Sequence, residues 1–71
     1  MSVIKVIELV GTSSESWEDA AKNAVAEAAK TIRHITGVRV VGQTATVEDN
    51  AITEFRANVK VAFVVREGQV A

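Results

Sequence analysis

The chain has 71 residues, a net charge of −1, 48% hydrophobic residues, no Cys and a single His. A chain near this size buries only about 60% of its unfolded surface, so it forms one domain with a marginal core of its own. Disulfides and thiolate metal sites are excluded, one His cannot build a His-rich transition-metal site, and scattered Lys and Arg leave no nucleic-acid footprint. Oligomerisation is the remedy left for such a core, and the apolar content agrees with it.

The N-terminal "MSVIKVIELV" is broken by Lys5 and Glu8 and followed at once by "GTSS", so it reads as a strand rather than a signal peptide. No segment reaches the roughly 18 apolar residues of a membrane span. The expectation is a soluble, cytoplasmic protein that meets neither nucleic acid nor membrane.

Residues 3–10, "VIKVIELV", are apolar on both sides of an extended chain except at Lys5 and Glu8. A strand of that kind is covered on both faces. Gly11 is read as the turn after it. Thr12, Ser13 and Ser14 compete for the next helix N-cap, with Glu15 in capping-box spacing from Thr12.

From about residue 14 to 34 the period becomes 3.6. Trp17, Ala20, Ala21, Ala24, Ala28, Ile32 and Ile35 form one stripe, mostly of Ala, which lets a helix lie close on a sheet. Glu15, Glu18 and Asp19 near its start, with Arg33 and His34 near its end, complement the helix dipole.

"GVRVVGQTATV", residues 37–47, is β-branched, with Gly42 a candidate bulge. "EDNA", residues 48–51, is a turn signal in which Asn50 tolerates the left-handed conformation. Residues 52–65, "ITEFRANVKVAFVV", then alternate strictly. Phe55, Ala57, Val59, Val61, Phe63 and Val65 share one side, opposite Glu54, Arg56, Asn58 and Lys60. Residues 66–71, "REGQVA", read as a frayed tail.

The order is β-α-β-β, an α+β fold. A helix that reverses the chain makes strands one and two parallel in direction. A tight turn makes strand three opposite to both, so placing it centrally gives an all-antiparallel sheet of order 1-3-2 on one helix. The sheet face that carries Arg56 and Asn58 then has no cover within the chain.

Support for catalysis is thin. Ser13, Ser14 and Ser16 could hold a nucleophile, but N-capping accounts for them better. His34 could be a general base, yet no acid stands at a telling spacing, and a dipole-satisfying surface role suits it better. The "GTSS" turn could hold a phosphate on backbone N–H groups, but it lacks the flanking Gly and Lys of a phosphate loop. Glu48, Asp49 and Asn50 offer oxygens to Ca²⁺ or Mg²⁺, which wants about six to eight; an oligomer axis could bring copies together. Trp17 reads as the large residue closing the core at the helix start, with ligand stacking as the alternative.

Taken together, "IELVGTSSESWEDAAKNAV", "AAKTIRHI" and "EFRANVKVAF" resemble the dodecins, over nearly all of Val3 to Val65. The resemblance implies a β-α-β-β subunit of a hollow homododecamer, whose second sheet face meets neighbouring subunits and the shell interior. It also implies a flavin (riboflavin or FMN) site around Gly37, Val38, Arg39 and Arg56. Flavin-binding members resemble one another in a Trp stacked on the ring, where this chain has Gly37. They also carry a Gln that reads the flavin's edge, where this chain has Arg56. Arg can donate but not accept, so both departures lead to the expectation that tight flavin binding is lost. The alternative for Gly37 is a left-handed helix cap after Thr36.

Some dodecin-like proteins lack the flavin residues and are linked to calcium instead, and this chain resembles those. The resemblance thus implies a non-enzymatic shell that binds or buffers a small ligand. The alternatives are a Ca²⁺-stabilised structural assembly, with Glu48 and Asp49 as candidate ligands, and a flavin store.

Overall fold

A computed structural model describes residues 3–65. The chain forms β1 (Val3–Ser13), α1 (Trp17–Ala29), β2 (Ile35–Glu48) and β3 (Ala51–Val65). The sheet has the order β1-β3-β2 with both pairings antiparallel, as the strand directions require. The expected tail at residues 66–71 lies outside the described residues.

Alternation on β3 dictates the core. Ala57, Val59 and Val61 are fully buried and Phe63 nearly so, all on the side that meets the helix. Ala20, Ala24 and Ala28 of α1 are buried against them, and Ile7, Leu9, Val25 and Ile35 pack around the cluster. Small residues on the helix let its backbone settle close to the sheet. Their small area leaves most of the apolar gain to the valines below.

Gly11 does not turn the chain. β1 continues through Thr12 and Ser13, which pair with Arg56 and Phe55. The helix N-cap is consequently Ser16, not Thr12, Ser13 or Ser14: its backbone is extended (φ −167°, ψ 163°) and its hydroxyl accepts from the Asp19 N–H at 3.0 Å. Ser13 has a different task. Its Oγ accepts from the Glu15 N–H at 2.9 Å and donates to Asp19 Oδ2 at 2.7 Å, which fastens the end of β1 to the first turn of α1.

α1 also ends earlier than the apolar stripe suggests, at Ala29. The Ala-rich run gives way to Thr31, Ile32 and Ile35, whose β-branching weakens a helix. Ile35 is instead paired with Phe63 at the start of β2 and reaches the core from the sheet. Arg33 and His34 therefore lie beyond the helix, and no basic residue stands in its last turn. The left-handed residue is His34 (φ 63°) rather than Gly37, which belongs to β2.

The β2–β3 pairing departs from regular register at three points, the last between Thr46 and Val47, where Thr53 of β3 is skipped. Pairing skips from Ile35 to Gly37 and from Val40 to Gly42, so Gly42 does mark a bulge. The β2–β3 hairpin closes through Asp49 (φ 50°) and Asn50 (φ 65°), the two positive values that a two-residue type I′ turn demands.

Candidate functional site

The helix lies over β1 and β3 and scarcely reaches β2. Two recesses stand out among the described residues. One, of about 510 Å³, is lined by Val6, Gly37, Val38, Arg39, Lys60 and Ala62. The other, of about 380 Å³, runs between α1 and β2 and is lined by Glu18, Ala21, Lys22, Val25, Ala26 and Val38.

Sheet register explains the first recess. Val6, Ala62 and Gly37 form one row across the three strands, and Glu8, Lys60 and Arg39 form the next. Both rows point away from the helix, because the alternating residues Val59 and Val61 are the buried ones. Gly37 leaves room here: a Cβ built on it would meet no atom within 4 Å. Volumes of this size suit small ligands, which take a mostly apolar cleft with a few polar groups at its rim.

Three of the residues singled out from the sequence, Gly37, Val38 and Arg39, thus come together. Arg56 does not join them. Gly37 pairs with Ala62, and Arg56 is six residues further along β3, roughly 20 Å away at 3.3 Å per residue. Its guanidinium Nε donates to Glu54 Oε1 at 2.8 Å, a half-exposed ion pair of small energetic weight. Within one chain, then, a flavin ring at Gly37 has neither a stacking plate nor the edge-reading contact. The residues of a single chain do not fit that cofactor.

Glu48 ends β2 and Asp49 opens the turn, at the exposed tip of the hairpin. Among the described residues no three His, Cys, Asp or Glu side chains gather where a metal ion could be held. A hard cation needs about six to eight oxygens, so the tip of one chain does not fit Ca²⁺ by itself.

The remaining candidates have structural tasks. Ser13 and Ser16 are engaged at the helix start, as described. Trp17 packs edge-on against Phe55 (centroids 4.8 Å, 79°), and its indole N–H donates to the Thr44 carbonyl at 2.8 Å. It therefore clamps α1 to both β3 and β2.

Sequence reasoning missed Val6, Lys60 and Ala62 as recess residues. The signal that could have found them is the antiparallel register, which brings residues from both ends of the chain beside Gly37. The open face also bears exposed Ile4, Val6, Val10 and Ile52, more apolar surface than single scattered residues account for. On the same face Asn58 Oδ1 is buried without a hydrogen-bond partner.

The dodecin family model matches residues 3–66. A calcium dodecin from Mycobacterium tuberculosis is 39% identical over 69 residues, covering 97% of each chain. A dodecin from Thermus thermophilus is 37% identical over 65 residues, covering 92% of this chain and 94% of its own. The crystal structure of a Thermus thermophilus dodecin variant superposes with a TM-score of 0.90 at 36% identity, covering 94% of this chain and all (100%) of that one. For the crystal structure of the Mycobacterium tuberculosis calcium dodecin, described as having a calcium-binding site, the values are 0.80 and 36%, with 97% and 99% covered. Sequence, strand order and superposition over nearly the full length agree: the chain belongs to the dodecin family.

Proposed function

We propose that the protein is the subunit of a non-enzymatic, cytoplasmic homododecameric shell that binds or buffers a small ligand other than a tightly held flavin. The observation that carries this reading is the recess of about 510 Å³ lined by Gly37, Val38, Arg39 and Lys60 on a sheet face that one chain leaves open. The exposed Ile4, Val10 and Ile52 on that face, outside the recess, support burial against further copies, as does the orphaned Asn58 Oδ1, which wants a donor.

A second reading is a Ca²⁺-stabilised assembly. Two observations favour it: the 39% identity to a protein named calcium dodecin, and the carboxylates Glu48 and Asp49 at an exposed tip that symmetry could bring together. Flavin storage is a third reading, disfavoured by Gly37 and Arg56.

Native mass spectrometry of protein isolated under gentle conditions tests the set together. A dodecamer carrying a non-flavin organic mass supports the first reading. A dodecamer that holds calcium after dialysis, and dissociates when a chelator removes it, supports the second. A stable monomer at micromolar concentration defeats both.

A further inference from the structure

We infer that the recess on the open face selects anions with an apolar body, through the side-by-side cations Arg39 and Lys60; this rests on the recess being a ligand site, as proposed above. The two residues are direct partners in the β2–β3 ladder. Both are exposed and line the recess. Directly opposite positions in an antiparallel pair place Cβ atoms about 5 Å apart, where like charges repel and destabilise the sheet. None of the ion pairs among the described residues involves Arg39 or Lys60. Only Glu8, across β3 from Lys60, adds a carboxylate to the row, and it forms no ion pair with either cation.

The row beside them is uncharged: Val6, Ala62 and Gly37 form an apolar floor, opened by the missing side chain at Gly37. Cations bordering one side of such a floor define a ligand with an apolar body and a carboxylate, sulfonate or phosphate at one end. An anionic group would relieve the Arg39–Lys60 repulsion while its body covers Val6 and Ala62. Arg supplies a planar fork of donors and Lys a mobile point charge, which together suit an oxyanion. A neutral ligand would use the floor and leave the repulsion in place.

The test compares two fluorescent probes with the same ring system, anilinonaphthalene sulfonate and the uncharged N-phenylnaphthylamine, on the assembled protein. The sulfonate should bind about tenfold or more tightly than the neutral probe, the ratio a charge-assisted contact supplies. Raising the salt concentration should shrink that ratio. Arg39→Gln and Lys60→Gln should each weaken the sulfonate and spare the neutral probe. Lys60→Arg should retain sulfonate binding, and Arg33→Gln, outside the recess, should change nothing. Equal affinity for the two probes would overturn the inference and leave a ligand site standing. Binding of neither probe would overturn the ligand site as well. Loss of assembly in both Gln variants, with sulfonate affinity unchanged in whatever remains folded, would mean that the pair seats a carboxylate of another copy, and would also overturn it.

Discussion

Gly11 of β1 lies directly beneath Ala20 of α1. A Cβ at Gly11 would overlap the Ala20 carbonyl oxygen and stand 2.9 Å from the Ala24 Cβ. The strand and the helix backbone touch there without any side chain between them. Gly11 is therefore a spacing residue inside a strand, a use of glycine that relies on close approach rather than on a special dihedral angle.

Gly11→Ala should accordingly be severe for so small a change. The overlap is with backbone on the helix side, which cannot rotate away as a side-chain tip could. The helix must lift from the sheet, opening the contacts of Ala20 and Ala24. We expect a loss at the upper end of the roughly 1–3 kcal/mol range for overpacking, read from denaturant or thermal unfolding of the assembled protein. An unchanged unfolding midpoint would show that the helix sits higher than described.

Ala24→Leu probes the same seam from the helix. Ala24 is 5% exposed and belongs to the cluster with Ala57, Val59 and Val61. Three added carbon atoms have no space there, so the cost should again be roughly 1–3 kcal/mol. Ala26, exposed on the opposite side of α1 apart from its border on the second recess, is the natural control: Ala26→Leu should move stability by well under 1 kcal/mol.

Trp17→Phe separates packing from hydrogen bonding at the helix start. The ring can still meet Phe55, but the donor to the Thr44 carbonyl is lost. The expected cost is about 1 kcal/mol, the net worth of one such bond, and unfolding followed by circular dichroism would measure it. A loss several times larger would mean that the indole packs more of the core than its contacts with β2 and β3 suggest.

These contacts also explain what could be read from residue order and what could not. β3 was legible because its alternation is strict, and the 1-3-2 order followed from strand directions alone. The ends of α1 were not legible. Ile32 and Ile35 continue the apolar stripe of the helix in sequence, but Ile35 serves the same core from β2. The N-cap expected at Thr12, Ser13 or Ser14 falls instead on Ser16, because pairing with β3 extends β1 to Ser13. Half of the recess was legible through resemblance, as Gly37, Val38 and Arg39. The other half depends on register: nothing in residue order alone places Val6 and Lys60 beside Gly37.

Flavin binding offers the last expectation, because the structure divides its two requirements. Gly37 provides no apolar plate, yet the space above it is open and its backbone is that of an ordinary strand residue. Arg56 provides no acceptor, and its guanidinium is already engaged by Glu54. Riboflavin fluorescence should therefore show no saturable quenching at submicromolar protein and ligand; saturation in that range would defeat the expectation. Gly37→Trp should fold as the parent does, since the added side chain meets nothing within 4 Å of its Cβ. A restored stacking surface contributes roughly 1–3 kcal/mol, so this variant should bind riboflavin at least about fivefold more tightly than the parent. Arg56→Gln alone should gain less, because an edge contact without a plate leaves the ring in water. If Arg56→Gln outperformed Gly37→Trp, desolvation by stacking would not be the limiting requirement, and the loss of flavin affinity would have to be assigned to the edge contact instead.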